Sequence, residues 1–423
     1  MAFGLRSKYD FRWDVLDVIV HGKSSIDATT GFQIQSSAEA DRFIESYGYH
    51  LENPIENAEV LGNFHEAINF VRKYFLQPDN PNGLKLEIPR KILELSDVRD
   101  LFLMASLQYP AQQADTQGHL LRSWACALLK VMHTIAHIDK DLRSPYFSDI
   151  QQQIFDRFYK VIHRDPAGRL YLGEKDDDPL RVDLVVFETK PKKSRDSIIL
   201  KLLHKPENVA EDIFDRVGIR FITHTPVDAL RVIKYLKDKM IVMPPNIKPS
   251  RSRNTLIDME RFQERLRGLL ARADRGEIDE AGLTAELNAC ILQGSDNKEN
   301  PHSSEFYRAI QFTCRQLIKL QNPLYNELRE LKQIAKSNAQ AGGAASAPDT
   351  DSRLSAMLAS LDRIDLKYVQ REVRFFYPYE VQVMDRQSAE ENEKGRSAHS
   401  EYKKAQIQTA LRRVMGSLVD VIR

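Results

Sequence analysis

The sequence predicts an α+β fold, and three observations predict it. Up to about residue 165, apolar positions recur at steps of three and four. Period-two alternation then marks 181–189, 217–223 and 379–383. A final stripe, Ile407, Leu411, Val414, Leu418 and Ile422, returns to the helical period. The 423 residues suffice for two or three domains and a sizeable core. With 61 Lys+Arg against 60 Asp+Glu, no global charge points to nucleic acid or to a membrane surface. No apolar run approaches the length of a membrane span, and the first residues lack the apolar core of a signal peptide. Cys126, Cys290 and Cys314 are scattered. This predicts reduced thiols in a cytoplasm, with neither a disulfide framework nor a zinc site.

Taken in order, 1–165 is expected to be a helical N-terminal domain. A short alternating piece at 15–20 predicts a strand. Helices are expected at 64–75, 98–107, 120–138 and 149–162, the third with Trp124, Leu128, Val131 and Ile135 on one face. His133, His137 and Asp141 lie four apart, a spacing that can bind a metal, although ordinary helix histidines are the commoner reading. From 168 the pattern changes. Residues 169–172 and 181–189 flank a turn at 176–179 and predict a β-hairpin. A basic run, Lys190, Lys192, Lys193 and Arg195, leads into a helix over 194–204. Cations beside the free N–H groups of a helix start suit phosphate, and a solvated turn is the plain alternative.

Asp215 precedes a strand in which Val217, Ile219 and Phe221 alternate with Gly218 and Arg220. Gly218 leaves room for a close approach to the backbone. A helix over 226–239 follows, and then a second basic cluster with Arg251 and Arg253. Helical character is expected at 258–274, 277–292 and 303–338, with a low-complexity, disordered loop near 339–352. This assigns 166–257 and 366–423 to two parts of one catalytic domain and 258–365 to a long helical insertion. In the second part, Tyr379, Val381 and Val383 alternate with Glu380 and Gln382. A carboxylate on the polar face of a strand can hold a metal at a sheet surface. A solvated edge strand is the bland reading of the same pattern.

Two stretches carry a family resemblance. Glu380 and Gln382, followed by Gly395, Ala398, His399, Tyr402 and Lys403, resemble without a gap the C-terminal signature of the RelA/SpoT alarmone synthetases. Upstream, Ser197 and Lys201 on a helix, then Asp215, Gly218, Ile219 and Arg220 on a strand, resemble a second motif of that family. The resemblance covers about 190–225 and 370–405. It implies a nucleotidyltransferase-like mixed sheet flanked by helices. It also implies transfer of the β,γ-pyrophosphate of ATP to a ribose 3′-hydroxyl with Mg²⁺. By resemblance Asp215 and Glu380 are the catalytic pair and the Mg²⁺ ligands, and Lys201 meets the ATP phosphates. Lys190, Lys192, Lys193, Ser197, Arg220, Arg251, Arg253, Gln382, His399 and Lys403 are the further nucleotide-binding candidates.

The departures from the family pattern are specific. At the register of the family's adenine-stacking Arg and its partner Lys stand Pro191 and Lys193, so Lys190, Lys192 or Arg195 would have to stand in for the Arg. Asn254 and Thr255 replace an Asp-Tyr pair, no Asn-Gly-Tyr follows, and Met384-Asp385 replaces Arg-Thr. The donor side is kept and the acceptor side rebuilt. GDP or GTP is the default acceptor, and an adenosine nucleotide or an RNA 3′ end is the alternative. A nucleotide-binding sensor that has lost the chemistry is the rival from another class. The family's hydrolases use an adjacent His-Asp pair. None occurs here, so no hydrolase activity is expected.

Overall fold

The structure is a computed structural model that describes residues 20, 34–141, 144–174, 178–190, 193–205, 213, 215–289, 307–341, 360, 363–364, 369–394 and 399–422. Its first half is helical: α1 (Ser37–Glu45), α2 (Pro54–Phe75), α3 (Arg90–Leu93), α4 (Val98–Ala105), α5 (Thr116–Asp139) and α6 (Phe147–Tyr159). Local chemistry sets the starts. Asn53 accepts from the Ile55 N–H and Pro54 opens α2, while Asp115 accepts from the Gly118 N–H at the start of α5. The predicted stripe of α5 is buried: Trp124, Leu128, Val131 and Ile135 lie in one core with Phe64, Val71 and Leu101.

That core also takes side chains from far along the chain. Ile199, Leu202 and Leu203 of α7 (Arg195–His204) and Leu411, Val414 and Leu418 of α13 (His399–Ile422) pack into it. Each such burial contributes about 1.5–3 kcal/mol. The helices next to the two motif stretches are therefore seated on the helical bundle.

Seven strands form one mixed sheet: β1 (Ile162–Arg164), β2 (Leu170–Leu172), β3 (Val182–Thr189), β4 (Gly218–Thr223), β5 (Arg253–Asn254), β6 (Ile310–Gln321) and β7 (Glu372–Asp385). Their order is β1-β2-β3-β4-β7-β6-β5. Only β4 and β7 pair in parallel. One face carries Ile219, Phe221, Tyr379, Val381, Val383 and Phe312. It is covered by α6 and by α8 (Pro226–Asp238). The helices α9 (Met259–Asp274), α10 (Glu280–Asn288), α11 (Pro323–Ala341) and α12 (Arg386–Lys394) complete the elements. Among the described residues no helix is long and apolar enough to cross a membrane.

The structure corrects the element readings in four places. Residues 303–338 are not one helix, because Ile310–Gln321 is a strand paired along its whole length with β7. The segment 258–365 is thus not purely helical, and part of it belongs to the sheet. The helix expected over 149–162 ends at Tyr159, since Ile162 opens β1 and pairs with Leu172. In 15–20 the one described residue, Val20, is helical, and the rest lies outside the described residues. Helix α11 continues to Ala341, into the stretch expected to be loop, and 342–352 lies outside the described residues. The predicted hairpin is present as β2 and β3.

Candidate functional site

The second face of the sheet is polar. Glu188, Arg220, Gln382, Gln311 and Arg253 stand opposite one another in consecutive strands, from β3 to β5. Directly paired residues share a face, so these five side chains form one row. In the next row, Gly218, Glu380 and Thr313 stand side by side. The Lys190 N–H donates to the Gly218 carbonyl at 2.8 Å, which brings Lys190 beside this row.

Asp215 sits in the turn three residues before Gly218. Its carboxylate is held by Lys193 on one oxygen and by Lys201 on the other, the latter at 2.5 Å. Burial alone would push the Asp215 carboxyl up. The two ammoniums outweigh burial and hold it far below the usual carboxylate range. Burial pushes the Lys193 ammonium down to about 8, against the pull of Asp215, while Lys201 adds to the downward push and Glu380 to the upward one. Lys193 thus feels both carboxylates.

Glu380 is only 7 % exposed, although it stands on the polar face. Its Oε1 accepts from Lys190 Nζ at 3.2 Å and from Gln382 Nε2 at 2.9 Å, and its Oε2 accepts from Gln311 Nε2 at 2.6 Å. Burial, then the Glu380 charge, push the Tyr307 phenol up to about 12, so Tyr307 borders the same carboxylate. Gly218 is needed for close approach. A Cβ there would come 2.6 Å from Lys190 Cδ. Gly218→Ala is expected to fold with a cost under about 1 kcal/mol, because a flexible side chain can move aside. It should displace Lys190, and if the polar face takes a nucleotide polyphosphate such as ATP, weaken that binding about ten- to a hundredfold, the worth of one charge-assisted contact. Titration calorimetry beside a thermal melt checks this, and unchanged affinity would exclude Lys190 from the site.

The sheet face and the helical bundle are strapped together around this cluster. Arg195, the first residue of α7, binds Glu66 and Asp139. Asp196 accepts from Lys73 at 2.6 Å and from Tyr74 at 2.9 Å. Arg216 donates to Asp141 at 2.6 Å, with both side chains 8 % exposed. Arg195, one of the basic residues considered for the adenine-stacking position, is thus paired with two carboxylates of the bundle.

Of the other predicted residues, Ser197 is tied to the helix start, its Oγ 2.8 Å from Ser194 Oγ. Arg220 lies 3.5 Å from Glu188. Arg251 is exposed in a 3-10 turn beside β6, and Lys403 is exposed on α13, whose buried face lies in the helical core. Pro191, Lys192, Gly395 and Ala398 lie outside the described residues, as does the side chain of His399. Sequence reasoning missed Gln311, Thr313, Tyr307 and Glu188. The first three lay within the helical reading of 303–338.

The histidine pair packs against the helical bundle. His133 Nδ1 lies 2.8 Å from Tyr47 Oη, its ring centroid is 4.5 Å from that of His137, and Asp141 is taken by Arg216. Burial, then His137, push His133 down to about 4. The folded pKa lies below the unfolded value of about 6.5. The unfolded state therefore binds more protons between about pH 4 and 6.5, and stability is lost as pH falls through that window. We expect a loss of about 1–2 kcal/mol between pH 7 and pH 5, largely absent in His133→Asn. Urea midpoints at the two pH values measure it. Equal slopes in both proteins would assign the acid sensitivity elsewhere.

Among the described residues no three of His, Cys, Asp and Glu gather into a metal-holding group. Asp215 and Glu380 each offer the hard carboxylate oxygens that a cation such as Mg²⁺ takes. Lys193 pairs with Asp215 and also feels the Glu380 charge, and the buried Gln382 Oε1 beside Glu380 has no donor among the described residues. No family model, curated protein or solved structure matches the chain.

Proposed function

We propose that the chain is a pyrophosphokinase on a nucleotidyltransferase-like fold, in the manner of the (p)ppGpp synthetases. It would move the β,γ-pyrophosphate of ATP to the 3′-hydroxyl of a nucleotide or an RNA. The observation that carries this reading is the meeting of Asp215 and Glu380 with Lys190, Lys193 and Lys201 at one edge of the polar sheet face. Three ammoniums against two carboxylates favour a polyphosphate. Asp215 and Glu380 would hold Mg²⁺, which neutralises phosphate charge when bound.

The chain's own groups supply the rest. Lys193 and Lys201 release Asp215 and take the phosphate oxygens. Glu380 accepts the proton of the 3′-hydroxyl, whose oxygen bonds to the β-phosphorus as the bond to the α-phosphate oxygen breaks and AMP leaves. Gln382 and Gln311 fix the orientation of the Glu380 carboxylate. The site of action would be the cytoplasm, where ATP is abundant.

A second reading, a nucleotide-binding sensor without chemistry, is favoured by one observation: both carboxylates are already neutralised by lysines. The test is transfer from γ-labelled ATP with Mg²⁺ to GDP, GTP, AMP, ADP, ATP and bulk RNA, for the wild type and Asp215→Asn. A labelled product lost in the variant supports the enzyme and names the acceptor. No product, with ATP still bound, supports the sensor. Neither product nor binding removes both readings.

A further inference from the structure

The face that carries Glu380 does not end at the site. Strands β6 and β7 run on as a two-stranded ribbon, in which Arg315 faces Pro378, Leu317 faces Phe376, and Lys319 faces Arg374. These residues share the face of Glu380 and Gln311, by the two-residue period of a strand. The opposite face of the ribbon is covered. Ile318 and Leu320 lie in the core, and Gln316 Nε2 donates to the Gln153 carbonyl of α6 at 2.9 Å. Among the described residues the outer face exposes its side chains, with Phe376 52 % and Leu317 42 % exposed and Arg315, Lys319 and Arg374 also exposed.

Charge on this strip is mainly positive. The acidic member is Glu372, which accepts from Arg374 at 2.8 and 3.0 Å and is held below its usual range by Arg374, with lesser pulls from Lys319 and Arg371. Along the outer edge of β6 run Lys248, Arg251 and, at the start of β5, Arg253. The Lys248 N–H donates to the Thr313 carbonyl at 2.9 Å. From Glu380 to Arg374 is six residues of strand, or about 20 Å. Cations at strand spacing around an exposed aromatic ring suit a chain of phosphates with stackable bases. An acidic peptide would use the cations and leave Phe376 idle.

We propose that the outer face of the β6–β7 ribbon docks single-stranded nucleic acid and leads its end to Glu380. The inference rests on the pyrophosphoryl-transfer reading only for the direction of threading. Docking itself needs no turnover.

The test is fluorescence anisotropy of the full chain with end-labelled 15-mers of one mixed sequence, as RNA and as DNA, over a salt series. A labelled polyglutamate peptide is the third probe. The wild type is expected to bind the RNA. Arg315→Glu with Lys319→Glu should weaken binding at least tenfold and flatten the salt slope by about 1.4, since each of two phosphates left without its cation accounts for about 0.7. Phe376→Ala should weaken it about tenfold. Arg267→Glu, an exposed charge on α9, should leave it unchanged. All four positions are exposed, and a thermal melt confirms the fold of each variant.

The RNA and DNA arms say whether the 2′-hydroxyl is read. The proposal is overturned by no binding of either, by binding indifferent to both strip variants, or by tighter strip-dependent binding of polyglutamate. Glu380→Gln should retain RNA binding. A chain that binds RNA through the strip yet labels no acceptor removes the enzyme and keeps the strip. One that labels GDP and ignores RNA does the reverse.

Discussion

If the chain is the pyrophosphokinase proposed above, Glu380→Gln is expected to lower the rate of transfer by about a thousandfold while leaving the melting temperature nearly unchanged. The size follows from the role: a positioned base contributes about 10²–10⁴, and an amide is also a poor ligand for a hard cation. Small structural cost follows from the surroundings. Glu380 receives three donors, from Lys190, Gln382 and Gln311. A glutamine keeps one acceptor oxygen for Lys190 and Gln382, and the Gln311 amide can turn its own oxygen toward the new N–H₂ group. Lys190 loses its counter-charge, but its side chain is 29 % exposed and water replaces much of the interaction. Gln311→Leu supplies the comparison. It removes one orienting hydrogen bond and should cost only about tenfold, with recovery in Gln311→Asn where the amide still reaches. Single-turnover rates with γ-labelled ATP rank the three. Transfer by Glu380→Gln within tenfold of the wild type would remove Glu380 from the chemistry.

The same carboxylate shows how far the sequence alone could lead. The alternation of Tyr379, Val381 and Val383 correctly placed an apolar face, and Tyr379, Val381 and Val383 are buried. Alternation could not say that β7 lies between β4 and β6, so Glu380 is enclosed rather than set on a solvated edge. Strand β6 itself was obscured by two residues. Ile310, Phe312, Cys314, Ile318 and Leu320 keep a period of two and are buried. Between them, however, polarity is reversed at two neighbouring positions. Gln316 is buried against the Gln153 carbonyl, while Leu317 is exposed. That exchange breaks the binary pattern, and with it went Gln311. The motif resemblance placed Asp215, Lys193 and Lys201 in one site, but that both lysines ion-pair with Asp215 was expected neither from the motif nor from the period. The capture of Arg195 by Glu66 and Asp139 depends on partners 129 and 56 residues away, which no local pattern encodes.

Arg216→Met is expected to destabilise the fold by about 3–5 kcal/mol, the cost of breaking a buried ion pair from one side. The pair stands at the C-terminal end of α5, where Asp139 and Asp141 both put negative charge against the carbonyl end of the helix. The helix dipole disfavours them there. Each is answered by an arginine from the second half of the chain, Asp139 by Arg195 and Asp141 by Arg216. Since Arg216 follows Asp215 directly, the pair also fixes the turn that presents Asp215 to Lys193 and Lys201. The single variant should therefore lose stability and, well below its melting temperature, transfer activity as well. The double variant Asp141→Leu with Arg216→Met should regain most of the stability, because a buried pair exchanged for apolar groups is often neutral. It should regain less of the activity, because the strap between bundle and turn is then apolar and no longer directional. Urea midpoints and ATP transfer at low temperature separate the two effects. A single variant within about 1 kcal/mol of the wild type would mean that other contacts hold the turn, and that α5 does not set the position of Asp215.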